Sequence, residues 1–160
     1  MPLSDTPHFR MRRQLSLPIK PAPLPDGITL VPFTVDTARQ GRELMRRAYD
    51  GDLGDNGISF EGFWSWLTND PEYDPTLIFV AAAEGAVVGF CHCWREAFIK
   101  DLVVDAAFRK RGLGAALLTL ALDTFVERGA TAVDLKTDVN NVVAQSLYRR
   151  LGFEIVERIG

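Results

Sequence analysis

Apolar positions along this chain of 160 residues switch between two periods, and the switches predict its elements. ITLVPF (28–33) has the short apolar run of a strand. Val35–Tyr49 follows with Ala38, Leu44, Met45 and Ala48 near one helical face, and with Thr34 or Asp36 available as cap. Gly51, Gly54, Asn56 and Gly57 mark 50–57 as a loop. Ser59–Asn69 reads as a second helix, capped by Ser59 and stopped by Pro71. Strands over Leu77–Ala83 and Ala86–Arg95 are joined by the hairpin signal Glu84-Gly85, and Phe98–Val104 is a third consecutive strand. A helix over Gly112–Arg128, a strand over Ala132–Thr137, a helix over Val142–Leu151 and a strand over Phe153–Ile159 complete the order. Hairpins followed by βαβ crossovers imply an α/β (α+β) domain, a mixed sheet with helices packed on it.

The first 27 residues differ in kind. Six of the nine prolines fall within the first 25 positions, and PAPLP (21–25) must be extended because proline fixes φ and biases its predecessor away from helix. In Met11–Ile19, Leu15, Leu17 and Ile19 alternate with polar residues or proline, which is the period of an edge strand; a disordered tail is the competing reading. The expected division is therefore a proline-rich arm over 1–27 and one folded domain over 28–160.

Composition narrows the function. Hydrophobic residues make up 47% and charged residues 24%, as in ordinary globular domains, and the net charge of −3 argues against a chain held to nucleic acid by its overall field. No apolar run approaches the ~18 residues needed to cross a bilayer, which with the absence of a signal-peptide core leads us to expect a cytoplasmic protein with no membrane partner. Cys91 and Cys93 share one face of a strand as buried thiols. Two cysteines and two histidines lack zinc-site spacing, so no metal is expected.

Chemistry concentrates in two stretches. In FIKDLVVDAAFRKRGLGAALL (98–118) an apolar strand leads to Arg109, Lys110 and Arg111, then to a helix opening at Gly112-Leu113-Gly114. Glycines admit a ligand close to the backbone, the first helical turn offers unpaired N–H donors, and three cations stand beside them. That combination suits a pyrophosphate, although a solvated basic loop before an ordinary helix has the same composition. In NVVAQSLYRRLGF (141–153), Ala144, Leu147, Tyr148 and Leu151 occupy one helical face, where Tyr148 reads equally as a core aromatic with its hydroxyl at the rim.

Together these stretches closely resemble the GNAT superfamily of acetyl-CoA-dependent N-acetyltransferases. Arg109 to Gly114 fits that family's [QR]-x-x-G-x-[GA] loop, and Asn141 to Phe153 fits its N-x-x-A-x-x-L-Y-x-x-L-G-F motif at every offset. The resemblance covers roughly residues 28–159 and implies a sheet flanked by helices on both sides. It further implies that backbone groups of Leu102, Val103 and Val104 hold the pantetheine arm of acetyl-CoA. Arg109, Lys110, Arg111, Gly112, Leu113, Gly114 and Ala115 would cradle the pyrophosphate, Asn141 would touch the cofactor, and Tyr148 would protonate the leaving thiolate. The implied activity is acetyl transfer to a primary amine, on a small molecule or peptide, by direct attack in a ternary complex. Transfer to a hydroxyl, use of a longer acyl chain, and an acyl-CoA-binding module without catalysis are the alternatives.

An alkyl amine of pKa ~10.4 is mostly protonated at pH 7, and freeing its lone pair costs about 4–5 kcal/mol, so a base is required. Asp101 is the first candidate, a carboxylate in an otherwise apolar strand, with a salt bridge to a neighbour such as Arg109 as its alternative role. Some polyamine-acetylating relatives carry Glu-Asp here; Lys100 stands where their Glu would be. His92 and Asp138 follow as candidates. Asp50, Asp52, Asp55 and Glu61, beside Phe60, Phe63, Trp64 and Trp66, suit an amine with an apolar body, although core packing of Phe63, Trp66 and Leu67 accounts for most of them. Many relatives place a further strand after the one at Phe153–Ile159. Here we expect Arg12–Ile19 to pair with that edge, from the same chain or from the partner in a homodimer.

Overall fold

The computed structural model describes residues 6–48 and 58–160. Its strands are β1 (His8–Gln14), β2 (Ile28–Val31), β3 (Ile78–Ala83), β4 (Ala86–Trp94), β5 (Phe98–Val104), β6 (Ala132–Asp138) and β7 (Glu154–Ile159). Its helices are α1 (Val35–Ala48), α2 (Phe60–Asn69), α3 (Leu113–Glu127) and α4 (Val142–Arg150). The strands form one mixed sheet in the order β2-β3-β4-β5-β6-β1-β7. The loop expected over 50–57 lies outside the described residues.

Each helix and strand predicted from Ile28 onward is present with ends moved by a residue or two, and local chemistry explains the ends. Ser59 caps α2 by accepting from the Gly62 N–H. The β3–β4 turn places both Glu84 (φ 50) and Gly85 (φ 82) in the left-handed region, as a two-residue hairpin turn demands. Two cores lie on opposite faces of the sheet. One joins Leu44 and Met45 of α1 to Ile78, Val80, Phe90 and Val103. The other joins Leu113, Leu117, Leu118 and Phe125 of α3 to Cys91, Ile99, Leu135 and Phe153. Gly41 permits the first: a Cβ there would lie 2.7 Å from the Phe90 ring.

The N-terminal arm requires a correction. The strand is His8–Gln14, not the stretch from Met11 to Ile19, and it is not at an edge. It runs antiparallel to β6 over seven residue pairs and to β7 from His8↔Ile159 to Arg12↔Glu154. The arm does pair with the last strand, as expected, but from inside the sheet and from the same chain. Burial decides the register. Met11 is fully buried in the α3-side core, which Leu15 and Ile19 only border.

Arg13 fixes the end of this strand. Its buried guanidinium donates to the carbonyls of Leu151, Gln14, Leu17 and Pro18. It also accounts for a glycine in the second motif: Gly152 has φ 94, and a Cβ there would lie 2.7 Å from the Arg13 Nε. Arg13→Met should therefore strand buried carbonyls and lower unfolding stability by about 3 kcal/mol, measured by urea denaturation. A loss below about 1 kcal/mol would contradict this role.

Candidate active site

Parallel strands β5 and β6 pair only through Phe98↔Asp134 and Ile99↔Leu135. Beyond Ile99 they diverge, leaving the backbone of Leu102, Val103 and Val104 without a β6 partner. An extended ligand arm can add to the ladder there through backbone hydrogen bonds.

The basic loop follows β5 directly. Asp105 caps a short 3-10 turn (Ala106–Phe108) by accepting from the Ala107 N–H, and the Arg109 Nε donates to the Val104 carbonyl at 3.4 Å. Lys110 has φ 61, and Arg111 lies over the Phe108 ring at 5.0 Å. Gly112 then turns into the left-handed region (φ 87) as the residue before α3, and no side chain caps the helix. Open donors of the first turn, the positive end of the helix and three cations fit a pyrophosphate. A Cβ on Gly112 would meet nothing within 4 Å, so that side of the cradle is open. Gly114 serves packing instead: a Cβ there would lie 3.2 Å from Leu147 of α4. Leu113 is buried beneath the loop, and Ala115 lies in the first turn.

Asn141 caps α4, its side-chain oxygen accepting from the Ala144 N–H at 3.1 Å. Its amide nitrogen has no hydrogen-bond partner among the described residues. Tyr148 stacks at a tilt on Phe153 (5.9 Å between centroids), and its hydroxyl pKa is pushed up to about 12 by burial first, then by the neighbouring Cys91 and Asp101. Tyr148 thus stays protonated throughout the physiological range. Cys91 and Cys93 are both buried with sulfurs 3.8 Å apart; burial, then the contact with Cys91, pushes the Cys93 thiol well above its usual value. Both remain free thiols.

Asp101 is buried on β5 opposite His92. Its carboxylate lies 3.8 Å from the His92 Nδ1 and 3.8 Å from the Lys100 ammonium. Arg109, expected as an ion-pair partner, turns to Val104 instead. His92 is buried and its Nε2 has no hydrogen-bond partner among the described residues. Asp138 is engaged in a turn, accepting from the Asn140 N–H.

On the α1–α2 side, Phe33, Phe60, Phe63 and Trp64 form a ring cluster. The cations facing Phe60 and Phe63 are the chain's own Arg39 and Arg42, at 4.1 and 4.9 Å. Phe63 and Leu67 are core residues, but Trp66 is 51% exposed, because it points off the buried side of α2. Asp50, Asp52 and Asp55 lie outside the described residues, and Glu61 sits in the first turn of α2. Arg10, Arg12, Trp94 and Asp134 on this face were not expected as site residues. The only trace in the sequence is the alternation Arg10-Met11-Arg12, which puts two cations opposite a buried methionine.

The acetyltransferase (GNAT) family model matches residues 41–153, from α1 to the start of β7. The chain belongs to that family. Mycothiol acetyltransferase of Clavibacter michiganensis subsp. michiganensis is 35% identical over 136 residues, 82% of this chain and 44% of that protein. N-alpha-acetyltransferase MAK3 of Arabidopsis thaliana is 37% identical over 92 residues, 53% of this chain and 48% of that protein. The GCN5-related N-acetyltransferase crystal structure from Sphaerobacter thermophilus superposes with a TM-score of 0.78 at 26% identity, over 96% of this chain and 49% of that one. The chain spans about half the length of these curated relatives. Among the described residues no helix is long and apolar enough to cross a membrane, and no group of three metal-type ligands occurs.

The raised tyrosine pKa gives a stability test. Below pH 10 both folded and unfolded chains keep the Tyr148 proton. Between pH ~10 and about 12 the unfolded chain releases it while the native state retains it, so stability falls as pH rises through that window. Urea denaturation at pH 9 and pH 11 should show a smaller alkaline loss in Tyr148→Phe than in the parent. Equal losses would place the hydroxyl in an ordinary environment. Tyr73, also raised by burial and then Asp74, is common to both proteins and cancels.

Proposed function

We propose that this GNAT domain transfers an acetyl group from acetyl-CoA to a primary amine within a ternary complex. The observation that carries the reading is the fork between β5 and β6, with the basic loop and the uncapped start of α3 directly beyond β5. Acetyl-CoA supplies an activated thioester carbonyl, so positioning and polarisation account for much of the rate.

In this reading the basic loop and the start of α3 hold the pyrophosphate, and Leu102–Val104 hold the extended arm. The amine enters from the α1–α2 face, where Asp101 and His92 lie. Asp101 takes the ammonium proton, directly or through water, and His92 holds the carboxylate in place. The free amine attacks the carbonyl, the N–C bond forms and the C–S bond breaks. Tyr148 donates its proton to the departing sulfur. A phenol at about 12 is a weaker acid than a thiol of ~8.5, so donation to a solvated thiolate is uphill by about 5 kcal/mol, and the step requires that the buried fork raise the basicity of the departing sulfur as burial raises that of Tyr148. The amine acceptors of N-alpha-acetyltransferases, as their name states, are consistent with this class.

Thiol release from acetyl-CoA across a panel of primary amines and peptides tests the reading. Tyr148→Phe should lower kcat by about 100-fold while CoA affinity stays within twofold, since the lost proton is needed only for departure. Asp101→Asn should lower kcat comparably at neutral pH. A chain that binds CoA but releases no thiol with any amine is an acyl-CoA-binding module instead.

A further inference from the structure

A cavity of ≈ 370 Å³ lies at the closed end of the fork, where β5 and β6 begin, lined by Arg10, Arg12, Glu96, Phe98, Thr131 and Asp134 among others. Its polar lining is built around one carboxylate. Asp134 accepts from the Arg10 Nε at 2.6 Å and from Arg12 through Nε at 2.7 Å and Nη2 at 2.9 Å. Burial alone would raise the Asp134 pKa, but the bonds from Arg12 and Arg10 together outweigh it and hold the carboxylate ionised. Two guanidiniums on one carboxylate leave a net charge of +1. The two Nη groups of Arg10 and the Nη1 of Arg12 donate to nothing among the described residues.

The direction of these side chains matters. Glu157 and Glu154 of β7 stand opposite Arg10 and Arg12 in the register, yet neither forms an ion pair with them. Both arginines lean the other way, across β6, and Arg10 reaches far enough to lie 5.6 Å over the Phe98 ring of β5. Phe98 stacks on Trp94 at 5.3 Å, and Trp94 carries the Lys100 ammonium at 5.9 Å from its ring. Lys100 in turn contacts Asp101. One continuous surface thus leads from the arginines to the proposed base. Asp134 pairs with Phe98, which the bulge sets about 7 Å from Asp101 along the strand, and the guanidiniums lie one to two strand spacings to the side, so the two ends are about 10 Å apart.

We propose that Arg10 and Arg12 form a carboxylate-binding subsite that selects acceptors bearing an anionic carboxylate about 10 Å from the reacting amine. This rests on the amine-acetylating reading of the fork. A carboxylate fits better than a phosphate dianion for two reasons. The free Arg10 and Arg12 donors offer directed hydrogen bonds to a single charge, and Glu96, which makes the lining neutral overall, repels a dianion more strongly. The flat Phe98–Trp94 pair suits the apolar or peptide segment between the two ends. Trialanine has this spacing, its α-amine and terminal carboxylate lying about 10 Å apart when extended.

Calorimetric binding of trialanine and of its C-terminal amide to the CoA-loaded protein tests the subsite without needing turnover. We expect the free acid to bind at least about tenfold more tightly than the amide. Arg10→Gln should bring the ratio near one, and Arg10→Lys should restore part of it, since it keeps the charge but not the fork. Arg12 still holds Asp134 in both variants, and a thermal melt confirms that they fold. Acid and amide binding alike, or neither binding, overturns the subsite. Acid-selective binding without thiol release upholds the subsite and overturns the acetyl-transfer reading. Thiol release with equal kcat/KM for both peptides upholds acetyl transfer and overturns the subsite.

Discussion

Everything the site requires depends on two parallel strands that are prevented from zipping shut. β5 and β6 share two residue pairs and then separate. Strands normally gain by pairing along their length, so a fork is stable only if each arm is held on its other side. β5 is held by β4 over six residue pairs, with a bulge between His92 and Cys93 that bends the ladder near the fork. β6 is held by β1 over seven. These two ladders leave the facing backbone groups of Leu102–Val104 unpaired by β6 and set α3 to begin directly beyond them.

The N-terminal strand is therefore central to the domain rather than an accessory. Without β1, β6 would keep two residue pairs to the rest of the sheet and β7 would keep none. Arg13 adds a lock, because its guanidinium joins the strand's end to the turn between α4 and β7. The same strand presents opposite faces to the two halves of the molecule. Met11 enters the α3-side core, while Arg10 and Arg12 lie on the face where the acceptor is proposed to enter. Closing the sheet and shaping that face are one event in this fold.

Much of this was legible in the sequence. The later motif was readable because its residues perform local tasks: Asn141 caps a helix, Leu147 packs on Gly114, and Gly152 takes a conformation that disfavours side chains. Such tasks fix spacing, and spacing is what a sequence displays. The basic loop was readable for the same reason, since Gly112 must turn left-handed before α3 can start. The place of β1 was not. A strand of arginines around one methionine carries weak periodicity, and its partners lie more than 120 residues away. Nor could Asp101 be assigned its neighbours. Lys100 and His92 meet it through strand pairing and a bulge, whereas Arg109, nearer in apparent charge logic, is drawn to the Val104 carbonyl.

The division between readable and unreadable residues bears on the acceptor. The family model runs from Gly41 to Phe153, which takes in the fork, the basic loop and both motif helices but omits β1. The matched segment holds the elements proposed to handle acetyl-CoA, while similarity to the mycothiol acetyltransferase and to the Sphaerobacter thermophilus structure extends over 82% and 96% of this chain. Acceptors differ between members, as mycothiol acetyltransferases and N-alpha-acetyltransferases do by name. In the proposed reading, recognition of the acceptor falls to residues outside the fork. Arg10 and Arg12 leave the ladder on the face away from the Met11 core, where they line the cavity and hold the buried Asp134. Similarity over the matched segment cannot name the acceptor of this chain. In the proposed subsite, the charge and reach of the β1 side chains do.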